Sequence, residues 1–327
     1  MPASIENWAG QIRSGEVRAL SRAVSAIENH APEAEELLRE IFPYTGRAYR
    51  IGITGAPGTG KSTLVDRLAS QYRIERKTVG IIAVDPSSPF TGGAILGDRI
   101  RMQGHAADCG IFIRSMATRG FLGGLAQAAG DAALLLDAAG KQMILLETVG
   151  VGQGEIEVVR FADCTVVVLT PGMGDDIQNL KAGLMEIGDI LVLNKFDREG
   201  AQRFEQQLTA ILQIAPERDG WKPPIVRTVA TEGKGIEEFA QQIALFREYF
   251  DRPERRRARE LSYWKQWLLR LLQASLLERV GRHIDEAQLE ALATEVAGRR
   301  KDPYSAVTEM IADSGMADKL DQAGANS

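Results

Sequence analysis

Residues 55–62 read GAPGTGKS. The apolar run Tyr49–Thr54 precedes them and an amphipathic run opening at Ser62 follows. Glycine, four residues, glycine, lysine and serine, set between a strand and a helix, is the spacing of a backbone loop that wraps phosphate oxygens. Glycines let the chain turn tightly with its N–H groups pointed inward. The following helix adds the partial positive charge of its N-terminus. Gly55, Ala56, Pro57, Gly58, Thr59, Gly60, Lys61, Ser62 and Thr63 are therefore the candidate nucleotide-binding loop. Lys61 is placed to reach the β- and γ-phosphates, and the Ser62 hydroxyl to bind Mg²⁺.

The remaining pattern is what such a loop requires. Short apolar runs at Tyr49–Thr54, Val79–Val84, Met143–Leu146, Thr165–Leu169, Ile190–Leu193 and Ile225–Val229 alternate with helical stretches. Those helices are expected over Ser62–Tyr72, Leu125–Ala138, Ala201–Ile214 and Ile236–Phe250. Continuous apolar strands alternating with helices predict an α/β fold, a P-loop NTPase domain with a mainly parallel sheet covered by helices on both faces. Ligands of such sheets bind at the carboxyl ends of the strands. Residues 1–45 read as a helical arm, with Ile12, Val17, Leu20, Val24 and Ile27 at helical spacing. Residues 46–250 form the nucleotide domain. Residues 251–327 begin with the charged run RPERRRARE and continue with Leu261, Trp264, Trp267, Leu268, Leu271, Leu272 and Leu276 at helical spacing. That density of apolar residues exceeds what one surface helix needs, and points to a helix pair, a subunit interface or packing back on the main domain.

Composition narrows the class. Net charge is −5 over 327 residues, which argues against nucleic acid as the partner. No apolar run approaches the roughly 18 residues of a membrane span. The opening MPASIENWAG lacks the basic and apolar regions of a secretory signal. The two cysteines, Cys109 and Cys164, lie far apart, so a reducing, cytoplasmic compartment is expected.

Acids at strand ends complete the phosphate side. Asp85 ends VGIIAVD, Glu147 ends MILLE, and Asp98 lies in TGGAILGD. Mg²⁺ takes oxygen ligands, so Ser62, Asp85, Asp98 and Glu147 are the candidate metal set. In ETVGVGQ (147–153) an acid is followed three residues later by Gly150, whose N–H is placed to touch a γ-phosphate and release the loop when that phosphate leaves. NKFD (194–197) follows ILVLN. Asp197 can accept from guanine N1–H and its exocyclic amine, a donor pair that adenine lacks. Asn194 ties the loop and faces the base, the Lys195 stem lies along it, and the backbone of Ala230 in TVATEGKGI meets the guanine oxygen. The expected ligands are GTP and GDP rather than ATP.

With Glu147 where many GTPases carry Asp, the stretches VDPSSPFTGGAILGDRIRM (84–102), ETVGVGQGE (147–155) and DPYSA (302–306) resemble the MeaB/MMAA/ArgK-type proteins over nearly the whole chain. These are G-protein chaperones of adenosylcobalamin-dependent acyl-CoA mutases. The resemblance implies a homodimer joined through the C-terminal arm, and gating of cofactor transfer from a cobalamin adenosyltransferase to the mutase. It also implies protection and reactivation of that mutase, most commonly methylmalonyl-CoA mutase, with adenosylcobalamin belonging to the partner. It places Asp85, Asp98 and Glu147 around Mg²⁺. It makes TPGMGDDIQNLKAG (170–183) a third switch, with Asp175 and Lys181 as signalling residues.

Val151 stands where many signalling GTPases carry a water-orienting glutamine, and Gln153 is displaced by two. Phosphoryl transfer rests on positioning and charge stabilisation, so slow intrinsic turnover raised by a partner is expected. Lys61, Asp98, Arg101, Glu147 and Gly150 form the candidate catalytic set, with Arg119 a second candidate arginine. A metal-delivery GTPase is the nearest alternative. His105 and Cys109 lie four apart, but as an ordinary helix residue and a small buried one they need no metal. A kinase acting on a small molecule or transport protein is a further alternative, and a structural dimer stabilised by nucleotide another.

Overall fold

The computed structural model describes residues 4–85, 103–105, 108–117, 122–148, 161–172, 187–214, 220–281 and 286–313. Seven strands form one sheet: β1 (Tyr49–Thr54), β2 (Val79–Asp85), β3 (Ile111–Ala117), β4 (Met143–Thr148), β5 (Cys164–Leu169), β6 (Ile190–Asn194) and β7 (Ile225–Thr228). Their order is β3-β2-β4-β1-β5-β6-β7 and every described pairing is parallel. This is a P-loop NTPase α/β fold. Ten helices lie among the described residues: α1 (Ile5–Arg13), α2 (Val17–Glu28), α3 (Pro32–Ile41), α4 (Lys61–Ile74), α5 (Leu122–Ala138), α6 (Ala201–Ile214), α7 (Ile236–Phe250), α8 (Pro253–Gly281), α9 (Glu286–Ala297) and α10 (Pro303–Asp313).

The strand pleat explains why the sheet is covered on both faces. Successive side chains of a strand point to opposite sides. Val166 and Val168 join a core with Leu64, Leu68 and Tyr72 of α4 and Phe239, Ile243 and Phe246 of α7. Their neighbours Val167 and Leu169 join a second core with Phe204, Leu208 and Leu212 of α6. Every residue of β4, β5 and β6 is buried, which is why these strands read as unbroken apolar runs.

β3 has no counterpart among the expected strands. It carries Arg114 and Ser115 in mid-strand, so its apolar run breaks. The break is tolerated because β3 is an edge strand whose Arg114 bonds to Ser25 and Glu28 of α2. The N-terminal helices therefore cover this end of the sheet. α1, α2 and α3 pack on one another and on α5, burying Trp8, Ile12, Leu20, Val24, Leu37 and Ile41. The Trp8 indole N–H donates to the Ala19 carbonyl at 3.0 Å. Pro32 sits at the first position of α3, where its missing N–H costs no helical bond.

Asp137 of α5 fastens the chain where it enters β1. Its carboxylate accepts the backbone N–H groups of Gly46, Arg47 and Ala48 at 2.6, 3.2 and 3.0 Å.

The chain divides into two compact units, Met1–Glu260 and Leu261–Ser327. At the far end of the sheet from the strand carboxyl termini, Arg259 bonds to Asp189 at 3.1 Å and lies over the rings of Phe246 and Phe250. In the second unit, Tyr263 and Trp267 stack at 6.0 Å. Asp302 caps α10 by accepting the N–H groups of Tyr304 and Ser305, both at 3.0 Å. Leu268, Leu269, Leu272 and Leu277 of α8 remain exposed. No helix among the described residues is long and apolar enough to cross a membrane.

Candidate nucleotide site

β1 delivers the chain at Thr54 to the carboxyl edge of the sheet, and α4 carries it away from Lys61. The six residues between them make a loop with Gly55, Gly58 and Gly60 at φ +145°, +77° and +91°. Two of these glycines are dictated by close approach as well as by φ. A Cβ on Gly55 would lie 2.2 Å from the Val168 carbonyl oxygen, and one on Gly60 would lie 2.5 Å from Nδ2 of Asn194. Pro57 and Gly58 form the exposed lip. Thr59 is buried and its hydroxyl donates to the Ala56 carbonyl at 2.9 Å.

Lys61 is buried although it is cationic. Its ammonium curls back over the loop and donates to the Gly55 carbonyl at 2.6 Å and the Ala56 carbonyl at 3.0 Å. A buried ammonium at the start of a helix, ringed by a glycine loop, is a site prepared for phosphate charge. Beside it the Ser62 hydroxyl donates to Oε1 of Glu147 at 2.6 Å. Glu147 is buried at the end of β4, and Thr148 after it donates to the Ile53 carbonyl at 3.4 Å. A hydroxyl oxygen and a carboxylate oxygen side by side are the hard donors that Mg²⁺ takes.

The base side is built from the ends of β6 and β7. Asn194, buried, donates from Nδ2 to the Thr59 carbonyl at 2.8 Å. Its Oδ1 accepts the Thr228 hydroxyl and the Ala230 N–H, each at 3.1 Å. Lys195 follows at φ +57° and donates to the Gly58 carbonyl at 2.6 Å. Two consecutive residues thus tie this turn to the phosphate loop. Asp197 is exposed just beyond. A short turn, Ala230–Glu232, closes the site and folds back through an antiparallel bridge between Val229 and Lys234.

The structure brings together Gly55 to Thr63, Glu147, Asn194, Lys195 and Ala230. Asp85 ends β2, on the strand beside β4. Asp98, Arg101, Arg119, Gly150, Val151, Gln153, Asp175 and Lys181 lie outside the described residues. His105 and Cys109 have different surroundings. His105 Nε2 lies 2.9 Å from Asp66 of α4, whereas Cys109, expected to be buried, is exposed. Between them Asp108 pairs with Arg73, which holds its carboxyl below the usual range with help from the Gly110 N–H. The same bonds raise the Arg73 guanidinium. Among the described residues no group of three or more His, Cys, Asp or Glu is placed to hold a metal.

Two residues of this site carry no sequence signal. Thr228 reads as an ordinary strand residue, yet its hydroxyl steadies Asn194. Arg67 reads as a solvent-facing helix arginine, yet it reaches the carbonyls of the base turn. Partners this far apart in the chain leave no local spacing to detect.

A phosphate loop at the head of a parallel sheet, cross-tied to a base turn of the NKFD type, defines a P-loop GTPase that binds GTP and GDP. The family model described as methylmalonyl Co-A mutase-associated GTPase MeaB matches residues 20–285, and the chain belongs to that family. It is 46% identical over 310 residues to a Pyrococcus abyssi (strain GE5 / Orsay) protein described as a candidate GTPase, covering 94% of this chain and 96% of that one. It is 40% identical over 245 residues to the GTPase ArgK of Escherichia coli (strain K12), covering 72% and 74%. Among solved structures it is similar to a LAO/AO transport system kinase. The TM-score is 0.71 and the identity 28%, over 95% of this chain and 97% of that one.

Proposed function

We propose that this GTPase is a chaperone of an adenosylcobalamin-dependent acyl-CoA mutase, most commonly methylmalonyl-CoA mutase. In this reading it gates loading of the cofactor from a cobalamin adenosyltransferase, and protects and reactivates the mutase. The observation that carries the nucleotide part is the amide of Asn194, which joins the phosphate loop to the base turn. The mutase part is supported by membership of a family named for that association. Adenosylcobalamin stays with the partner.

At the site, the ammonium of Lys61 would exchange its two loop carbonyls for phosphate oxygens. Asp197 would accept the two guanine donors, and the Ala230 N–H, which donates to Asn194 Oδ1, would be shared with the guanine oxygen. Mg²⁺ supplies charge neutralisation on the β- and γ-phosphates when bound. Ser62 and Glu147 would hold it, with Asp85 and Asp98 as further acids. Asp98, Arg101 and Gly150 complete the proposed catalytic set, and Asp175 and Lys181 carry nucleotide state to the mutase. Turnover is slow until the partner binds.

We assign the protein to the cytoplasm and expect a homodimer. The exposed leucines of α8 support the dimer. Sedimentation at monomer mass at micromolar concentration would overturn it. The nucleotide dependence of mutase affinity tests the chaperone reading. Affinity for a cobalamin-loaded mutase should differ at least about tenfold between GDP and a non-hydrolysable GTP analogue. Equal affinities would leave only a nucleotide-stabilised scaffold. The likeness to a transport system kinase keeps a second reading in view. Transfer of labelled γ-phosphate to an acceptor other than water would favour it.

A further inference from the structure

The turn that closes the base site is gripped at both backbone groups of one residue. Ala230, buried, gives its N–H to Asn194 Oδ1 at 3.1 Å. Its carbonyl accepts Nε of Arg67 at 3.1 Å, and the next carbonyl, Thr231, accepts Nη2 of the same guanidinium at 3.0 Å. The first grip comes from the base motif. The second comes from α4, the helix that begins with the phosphate-binding Lys61 and Ser62. One rigid helix therefore carries phosphate ligands at its start and, less than two turns later, the arginine that holds the base turn.

We propose that Arg67 is a positioning residue for base recognition. It sets Ala230 at the depth from which its N–H, shared with Asn194 Oδ1, would meet the guanine oxygen, without itself being a ligand. This rests on the guanine-nucleotide reading above. The planar fork of arginine suits the task, because Nε and Nη2 present two donors in fixed geometry to two successive carbonyls. A lysine ammonium is a point donor and cannot reproduce that spacing. The turn has little else to hold it. It is a single 3-10 turn, Ala230–Glu232, flanked by Gly233 and Gly235 at φ +72° and +77°. Its own bonds are the Val229–Lys234 bridge, the Glu232 N–H to Val229 carbonyl contact at 3.0 Å and the Gly233 N–H to Ala230 carbonyl contact at 3.2 Å.

The consequence is selective for one edge of the base. Asp197 reads N1–H and the 2-amino group from a different loop, so Arg67 should govern only the contact to the oxygen at position 6. Three diphosphates separate these contributions. GDP has all the groups, inosine diphosphate lacks the 2-amino group, and 6-thio-GDP replaces the oxygen by a weakly accepting sulfur. Their affinities are measured by displacement of a fluorescent GDP from the full-length protein with Mg²⁺ present. Arg67 is exposed, so its variants are expected to fold.

Arg67→Ala should weaken GDP about tenfold, the scale of one to two net hydrogen bonds. Inosine diphosphate should weaken by the same factor, within about twofold, because the Asp197 contact is independent. 6-thio-GDP should weaken less than about threefold, so the penalty for sulfur shrinks. Arg67→Lys should fall between the parent and the alanine variant. Unchanged affinities in Arg67→Ala would overturn the inference. So would equal weakening of all three ligands, which marks a merely structural arginine, or a parent protein that does not distinguish sulfur from oxygen. A parent protein that binds none of the three would overturn the nucleotide reading and the inference together.

Discussion

The amide of Asn194 is committed on both sides. Its NH₂ serves the phosphate loop and its oxygen serves the base turn, so the residue joins two halves of a site that the chain sequence keeps well apart. Asp197 stands exposed beyond it, and there we propose that the base is chosen. A carboxylate only accepts, and guanine offers two donors on that edge. Asp197→Asn replaces one acceptor oxygen by a donor. GDP affinity should fall at least about 100-fold, since two charge-assisted bonds are lost. Xanthosine diphosphate, whose position 2 carries an acceptor oxygen, should become the preferred ligand. Competitive displacement with both diphosphates checks this, and unchanged preference for GDP would remove Asp197 from the site. Residue by residue, legibility follows contiguity. GAPGTGKS and NKFD are visible because their atoms meet within a few residues. Thr228, Arg67 and Asp137 are not, because each acts on groups remote in the chain.

Among the elements, the fully buried strands β4, β5 and β6 were legible to within one or two residues of their ends. β1 and the helices α6 and α7 match the expected runs end to end, and β4 and β6 extend only to their polar terminal residues. β3 escaped because an edge strand need not be apolar throughout, and Arg114 is paired with the arm instead of sitting in a core. The helix α5 hides a different feature. Asp131 is buried in it, and burial, with Glu35 of α3 adding repulsion, pushes its carboxyl up to about 7. In the unfolded chain the same group titrates near its ordinary value of 3.8. From about pH 4 to pH 7 the folded state therefore keeps a proton that the unfolded state has lost, and stability falls as pH rises. Above about pH 7 both states are ionised and the loss levels off. Asp131→Asn removes the titration. Its advantage over the parent should grow by roughly 3 kcal/mol between pH 5 and pH 8. Urea melts at the two pH values test this. An advantage of equal size at both would show that the carboxyl is not the source.

At the scale of the whole molecule, the sheet gathers every described part of the nucleotide site at one edge, and the second unit beginning at Leu261 carries the exposed leucines. The family, the P-loop fold and the GTPase class were legible in the sequence from their motifs. The partner's identity rests on resemblance and family membership. Its signalling residues, Asp175 and Lys181, fall outside the described residues. The measurement that bears most directly on the account is hydrolysis of GTP by the purified protein, alone and with a cobalamin-loaded acyl-CoA mutase, with ATP as control. The account predicts slow turnover of GTP alone, a rise of at least about tenfold with the mutase, and no turnover of ATP. Turnover of GTP that is fast alone, or indifferent to the mutase, would contradict it.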